Sequence, residues 1–252
     1  LDGPSTTYTV CSDGCHFTSI NDAIDASSHG DTILLYDESY LETTTISTDG
    51  KSITLRGAVD TDGNPTTILD GQGSGRVLLV NQGEDETTVL ENLVITNGND
   101  SNGGGMAIYN ANPSLINCSF TNNSGNYGGG LYVENTSGDP ISLDQCRFNA
   151  NTANRGGGIH IYGTNALILS DTTVCGNTAT ISDDPQIYGS WTDDGGNAIS
   201  GDCDGVISVC PSGCDRTTVD EALAVSVDGD VIEISAGTYP VTSTLRLSLI
   251  HI

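Results

Sequence analysis

The residues in this chain most able to bind a ligand are aromatic side chains on three glycine-led segments. Tyr132 and His160 have equivalent positions in two of these segments, and Tyr109 and Tyr162 have the next outward position. An aromatic ring can cover the apolar face of a pyranose while neighbouring polar groups bond its hydroxyls. The same rings could instead stabilise a sheet by cross-strand packing. The pattern therefore predicts a carbohydrate-binding face, with sheet packing as the alternative.

A short acidic stretch, Asp60-Thr61-Asp62-Gly63-Asn64, resembles the opening of a calcium loop, with oxygen ligands at alternate positions. An EF-hand would end in a Glu at the twelfth position, where this chain has Gly71. A site at Asp60, Asp62 and Asn64 would therefore be a simpler surface site, and an Asp-Gly turn is the alternative. The sequence therefore predicts no cofactor, with calcium as the alternative.

The net charge limits the partners of the chain. Lys and Arg number 7 against 33 Asp and Glu, a formal charge of -26, which repels nucleic acid phosphates and anionic membrane surfaces. No apolar run approaches the roughly 18 residues of a membrane-spanning helix. We therefore expect no nucleic acid partner and no membrane insertion. The acidity indicates solubility in a salty medium or, alternatively, binding of hydrated divalent cations.

The chain repeats itself at a shift of 199 residues, so that residues 10–46 recur without a gap as residues 209–245. Within the first copy, Ile20, Ala23 and Ile24 lie on one helical face. A Gly-Asp turn then leads into an alternating strand. Each copy therefore predicts a capping helix that feeds a first coil.

Glycine triplets mark a shorter repeat, at residues 103–105, 128–130 and 156–158, in steps of 25 and 28 residues. An alternating strand follows each triplet. In a solenoid, like residues lie above like residues and bury a continuous core. Two columns are predicted on this basis. They are an inward column of Leu115, Leu143 and Leu169 and a structural column of Asn123, Asn151 and Asn177, whose amides can bond from coil to coil.

A second motif, F-x-x-N, follows the glycine-led strands. It occurs as Phe120-Thr121-Asn122-Asn123 and as Phe148-Asn149-Ala150-Asn151. With the Gly-Gly steps they resemble the pectin-lyase-like right-handed parallel β-helix superfamily, and within it repeats of the polymorphic outer membrane protein type, over residues 88 to 180. A third Gly in place of Ala, and Val174 in place of Phe, depart from that type. The resemblance implies an all-β right-handed parallel β-helix, a solenoid, in a surface-displayed protein of which several relatives are adhesins.

Eight cysteines, an even number, indicate disulfides. The two C-x3-C pairs lack the two-residue spacing of zinc knuckles and have only His16 nearby, which favours local disulfides over zinc. The predicted pairs are Cys11 with Cys15, Cys175 with Cys203, and Cys210 with Cys214, while Cys118 and Cys146 are expected to be buried thiols. Disulfides predict a secreted or cell-surface location, outside the cytoplasm.

Enzymes of the superfamily that this chain resembles have catalytic motifs that can be compared with its residues. Lyases of this type need a calcium cluster beside a basic residue, and the coils offer only Arg147 and Arg155 without a dense set of aspartates. The Gly-His-Gly and Arg-x-Lys segments of hydrolases with this fold are absent. The pairs Asp183-Asp184 and Asp193-Asp194 lie in a polar segment typical of solvated turns. No carboxylate or nucleophile matches His160 in its strand, so a surface histidine is expected. The sequence predicts no catalytic residue.

The repeats divide the chain into five predicted segments. They are an N-terminal cap and first coil at 1–40, parallel β-helix coils at 41–180, an irregular C-terminal plug and linker at 181–205, a truncated second cap at 206–246 that starts a second β-helix unit, and a tail at 247–252 interpreted as non-native.

The leading functional hypothesis is a secreted or surface-displayed module that presents a repetitive face for adhesion or contact with a polysaccharide or cell-surface glycan. The alternative is a polysaccharide-active lyase or hydrolase, or the non-catalytic arm of such an enzyme. Further caps and an export anchor in the full-length gene would favour the module. A separate domain with carboxylates or lysines clustered on one face would favour the enzyme.

Overall fold

A computed structural model describes residues 5–36, 38–135, 139–163, 167–182, 184–201, 203, 206–209, 218–219 and 231–234. The chain winds in coils whose strands stack into three long parallel sheets and a shorter one. Sheet A contains β1 (Thr7–Val10), β2 (Thr32–Leu35), β5 (Thr54–Arg56), β8 (Val89–Glu91), β12 (Ser114–Ile116), β16 (Ile141–Asp144), β20 (Leu167–Ser170) and β24 (Thr192–Asp193). Sheet B contains β3 (Ser39–Leu41), β6 (Thr67–Asp70), β9 (Leu93–Thr96), β13 (Ser119–Thr121), β17 (Arg147–Asn149), β21 (Thr173–Cys175) and β25 (Ala198–Ser200).

The other two sheets complete each coil. Sheet C contains β4 (Ile46–Ser47), β7 (Leu78–Val80), β11 (Met106–Tyr109), β15 (Leu131–Glu134), β19 (Ile159–Tyr162) and β23 (Ile187–Tyr188). Sheet D contains β10 (Asn99–Asn102), β14 (Ser124–Tyr127), β18 (Thr152–Ala153) and β22 (Thr178–Ala179).

Successive coils stack in register. Leu115 pairs with Leu143, which pairs with Leu169, and all three side chains are fully buried. Phe120 lies on Phe148 with ring centroids 4.5 Å apart and planes 3° apart. The core is thus built from like residues in contact along the axis, as stacking in a solenoid requires. The predicted all-β parallel β-helix and its leucine column are confirmed. Connections between parallel strands of one sheet are right-handed in nearly all proteins, which agrees with the predicted handedness.

The turn from sheet A to sheet B uses one residue in the left-handed region in four successive coils. These residues are Asn92, Asn117, Gln145 and Asp171, with φ between 46° and 59°. Asn and Asp tolerate this conformation because their short polar side chains can bond locally. Their side chains, half-buried or exposed, form a polar column along the junction of the two sheets.

Glycine is required in the triplets for two reasons. Gly103, Gly128 and Gly156 have φ between 56° and 69°, where a side chain is strained. The second glycine of each triplet packs on the next coil: a Cβ atom on Gly157 would lie 2.3 Å from the carbonyl oxygen of Thr178. The triplets therefore let the glycine-led strands lie directly above one another.

The asparagine column forms a continuous amide ladder. Asn123 donates through Nδ2 to Oδ1 of Asn151 at 3.0 Å, and Asn151 donates likewise to Asn177 at 2.9 Å. Asn177 donates to Oε1 of Gln186 at 2.8 Å, and all four side chains are buried. The predicted column is structural, and Gln186 extends it by one rung that the asparagine pattern did not reveal.

The cap has the predicted helix, α1 (Ile20–Ala26), whose residues Ile20, Ala23 and Ile24 are buried. Ser19 caps it by accepting a hydrogen bond from the backbone N–H of Asp22. In the second copy, β26 (Val206–Val209) pairs with β27 (Val231–Ile234) in the register that joins β1 to β2. The extent of the second cap, 206–246, stays a prediction, and residues 247–252 lie outside the described residues.

Residues 181–205, predicted as an irregular plug and linker, contain three short strands. Strands β23, β24 and β25 add one more rung to sheets C, A and B respectively. Each has only two or three residues, and polar, Asp-rich segments separate them. Backbone pairing with the preceding coil therefore defines this last coil, and the hydrophobic pattern does not reveal it.

Two of the predicted disulfides are present, Cys11 to Cys15 and Cys175 to Cys203, with Cα separations of 5.5 and 5.1 Å. The proposed pair of Cys210 and Cys214 lies outside the described residues. Cys118 and Cys146 are free and buried, as expected. No helix in the described residues is long and apolar enough to cross a membrane.

The two buried thiols should resist labelling in the native protein. Burial, reinforced by the neighbouring thiol of Cys118, raises the pKa of Cys146, and the reactive thiolate is thereby disfavoured. Peptide mass spectrometry should find Cys118 and Cys146 unmodified by iodoacetamide until urea is added, and Cys11, Cys15, Cys175 and Cys203 unmodified until reductant is added. Labelling of those four without reductant would contradict the disulfides.

Candidate functional site

The strands of sheet C place the predicted ligand-binding residues. Side chains alternate along these strands, so inward apolar residues are separated by outward residues. Tyr132 pairs with His160, and these two outward-facing residues belong to what we call the inner column. Glu134 pairs with Tyr109 on one side and Tyr162 on the other in the next column. The structure therefore brings all four predicted carbohydrate-binding residues to one face.

The inner column is an aromatic stack. Tyr132 lies on His160 with centroids 5.4 Å apart and planes 16° apart, and His160 lies on Tyr188 at 4.9 Å and 13°. Tyr109 approaches Tyr132 at 5.6 Å with a tilt of 50°. Tyr127, on sheet D, meets the His160 ring edge-on at 5.1 Å. This arrangement is the cross-strand packing that the sequence left open as an alternative.

The stack corrects the prediction for two residues. Tyr132 is 6% exposed and His160 is 5% exposed, so neither has a surface available to a sugar ring, and His160 is not a surface histidine. The reason is that rings from adjacent coils cover both faces of His160 while Tyr127 covers an edge. Direct contact with a sugar is therefore left to the outer column.

His160 is held neutral in this stack. Burial, with a smaller contribution from the Arg155 cation, lowers the pKa of its imidazole from 6.5 to about 4. Its Nδ1 atom is buried and has no hydrogen-bond partner among the described residues. A buried nitrogen without a hydrogen-bond partner costs free energy of folding. The favourable packing of the rings therefore exceeds this cost at His160.

The outer column consists of Tyr109, Glu134 and Tyr162. Tyr109 and Glu134 are half-buried, and Tyr162 is 60% exposed. The Tyr132 hydroxyl donates to Oε2 of Glu134 at 3.0 Å, which fixes the carboxylate between the two outer rings. Burial, and then this carboxylate, raise the pKa of Tyr132 well above its ordinary value, so the hydroxyl keeps its proton. The face thus offers an exposed ring beside an oriented acceptor.

Two arginines stand at the ends of the stack. The guanidinium of Arg76 lies 6.0 Å from the ring centroid of Tyr109 and pairs with Asp100 at 2.7 Å. The guanidinium of Arg155 lies 5.4 Å from the ring centroid of Tyr188 and donates to its hydroxyl at 3.3 Å. Such cation–π contacts stabilise the stack at both ends. Tyr188 was not predicted as part of the site, because it lies in the last coil, where the repeat is not visible in the sequence.

The acidic stretch has the geometry of a turn. Oδ1 of Asp60 accepts the backbone N–H groups of Asp62 and Asn64 at 2.9 Å each. Asn64 also donates its side-chain amide to Oδ2 of Asp60 at 3.0 Å. These bonds, led by that of the Asn64 side chain, lower the pKa of Asp60. Its oxygens already face N–H donors, as in an Asp-Gly turn, and calcium at Asp60, Asp62 and Asn64 stays a prediction.

Among the described residues, no group of three or more His, Cys, Asp or Glu side chains is arranged to hold a metal ion. Of the paired aspartates, Asp193 accepts hydrogen bonds from the Gly195 backbone and the Asn197 side chain, as in a solvated turn. Asp183 lies outside the described residues.

No protein-family model and no curated protein matches this chain. Two solved structures of the pectin methylesterase from Aspergillus niger are similar to it. The deglycosylated form has 18% identity and a TM-score of 0.49, covering 92% of this chain and 85% of that one. The penultimately deglycosylated form has 17% identity and a TM-score of 0.48, covering 93% and 86%. A likeness at this level does not indicate a shared activity. The finer resemblance to polymorphic outer membrane protein repeats stays a prediction.

Proposed function

We propose that this protein is secreted or surface-displayed and binds polysaccharide along the sheet C face. The observation that carries the proposal is the outer column, in which the exposed Tyr162 ring stands on the strand next to Glu134, and Glu134 next to Tyr109. A ring can cover the apolar face of a sugar while a carboxylate accepts its hydroxyls. Neighbouring strands are about 4.8 Å apart, so these groups recur regularly along the axis.

The buried stack supports this role by holding the outer column rigid. Tyr132 is fixed between Tyr109 and His160, and its hydroxyl orients Glu134. A contact surface that is ordered before binding loses less conformational entropy when the ligand arrives. The face is therefore suited to an extended ligand that makes several weak contacts.

The charge of the protein selects among polysaccharides. At a formal charge of -26, long-range repulsion disfavours polyanions at low ionic strength and leaves neutral chains unaffected. Salt would weaken this repulsion. We therefore propose neutral or largely esterified polysaccharides as ligands, and the two disulfides support an extracytoplasmic setting.

Removing both outer rings should abolish retention of polysaccharide. A stacked ring is worth about 1 kcal/mol, so a Tyr109→Ala, Tyr162→Ala double variant should bind roughly 30-fold more weakly. Affinity electrophoresis through gels containing neutral or methyl-esterified polysaccharides measures this change. Tyr36→Ala is the matched control, because Tyr36 is 62% exposed but follows a strand of sheet A. Its retention should equal that of the wild type.

Equal retention of the double variant, still folded by circular dichroism, would assign these tyrosines to packing alone. The same experiment separates binding from the enzymatic alternative. A polysaccharide-active lyase or hydrolase would release reducing ends from the retained polymer, whereas a binding module or non-catalytic arm would leave it intact. Retention without product is the result that we expect.

A further inference from the structure

The turn between sheets A and B is enlarged in one coil. Strand β5 ends at Arg56 and β6 begins at Thr67, whereas the next four coils make this connection with one or two residues. The inserted residues form a hairpin, with an antiparallel bridge between Val59 and Pro65. The side chain of Asp60 holds its tip through the bonds described above. The acidic stretch therefore builds a defined projection from the β-helix.

The hairpin reaches along the axis to another coil. Asn117 donates through Nδ2 to the carbonyl oxygen of Gly63 at 2.9 Å, although 54 residues separate them. The hairpin residues Asn64 and Pro65 thereby help to line a cleft of about 330 Å³ at the junction of sheets A and B. Its polar lining includes Asn64 from the hairpin, Gln145 and Asp171 from the turn column, and Arg147 from sheet B.

Arg147 is unusual among the cations of this acidic protein. Of the lysines and arginines in the described ranges, Lys51, Arg56, Arg76 and Arg155 each donate a hydrogen bond or form an ion pair. The guanidinium of Arg147 does neither within the described residues, and it is exposed to the cleft. With carboxylates so abundant, an unpaired guanidinium in a walled cleft indicates a site for an external anion.

We propose that this cleft binds a small monocarboxylate that carries several hydroxyls, the chemistry of a sugar acid. A guanidinium binds a carboxylate through two parallel hydrogen bonds. The side chains of Gln145 and Asp171 form no hydrogen bonds in the described part of the chain, so an amide and a carboxylate are available for hydroxyls. Asp171 and the net charge disfavour multiply charged anions. A volume near the lower limit for ligand sites fits one such molecule.

The test is a titration of the isotope-labelled full chain with D-glucuronate, followed by NMR. Glucose lacks the carboxylate and acetate lacks the hydroxyls, so each should bind at least about 10-fold more weakly. Glucuronate should shift the side-chain signals of Arg147 and Gln145 and leave the signals of Tyr162 unchanged. This site lies away from sheet C, so its failure would leave the proposed polysaccharide face untouched, and the reverse also holds.

Arg147→Gln should weaken glucuronate binding about 10-fold or more, because a charge-assisted pair is lost. Lys51→Gln removes a positive charge beside the capping helix, where Lys51 donates to the carbonyls of Ile24 and Asp25, and should bind like the wild type. Arg147→Lys keeps the charge but lacks the planar guanidinium, so it should bind glucuronate with intermediate affinity. This variant still tests the proposal if the glutamine variant fails to fold. No shift at about 10 mM glucuronate, equal shifts with acetate, or unchanged binding by Arg147→Gln would each overturn the proposal.

Discussion

Replacing Asn151 with alanine should lower the free energy of unfolding by about 4 kcal/mol. Asn151 donates to the carbonyl of Phe120 and to Asn177, and its Oδ1 atom accepts both the backbone and side-chain N–H groups of Asn123. All of these groups are buried. Each buried polar group left without a partner costs about 1–3 kcal/mol, and alanine leaves several at once.

Asn154→Ala is the matched control. Asn154 lies on the same coil and also donates its amide to the neighbouring coil, to Oδ1 of Asn126 at 3.2 Å, but this bond is exposed to water. Water replaces the lost partner there, so the cost should be under about 1 kcal/mol. Urea unfolding followed by circular dichroism at pH 7 compares the two variants. Similar losses would show that the amide ladder is not a major source of stability.

The second large effect is a loss of stability in acid that arises from His160. The unfolded chain takes up this proton near pH 6.5, whereas the folded imidazole has a pKa of about 4. Stability is therefore lost as the pH falls from about 7 to about 4 and changes little further below that. At about 1.4 kcal/mol per pKa unit, the loss is about 3 kcal/mol.

His160→Phe isolates this contribution from the titration of carboxylates elsewhere. Phenylalanine keeps a ring between Tyr132 and Tyr188 and removes the orphan Nδ1 atom and its proton. Urea unfolding at pH 7, 5.5 and 4 should show a difference between variant and wild type that grows in favour of the variant by about 3 kcal/mol. A difference that is constant with pH would mean that His160 is not held neutral by the stack.

Only part of the candidate site on sheet C could be predicted from the sequence. The positions of Tyr109, Tyr132, His160 and Tyr162 on one face could be predicted, because alternation along a strand and the coil step fix them. Their exposure could not be predicted. Whether an outward ring meets solvent depends on what covers it, and His160 is covered by Tyr132 and Tyr188 on its faces and by Tyr127 from sheet D at an edge.

The sequence by itself determined the coil, its inward leucine column, the amide ladder up to Asn177 and the pairing of Cys11 with Cys15. These features are repetitive or local, and stacking in register makes each position in a coil favour one type of residue. Only the tertiary structure decided the burial of His160, the strands of the last coil and the cleft beside Arg147. The burial of His160 depends partly on Tyr127 of sheet D, and the cleft depends on the contact of Gly63 with Asn117. No repeat relates these pairs of positions, so their contacts leave no period in the sequence. The last coil is held by backbone pairing, which requires no particular side chains.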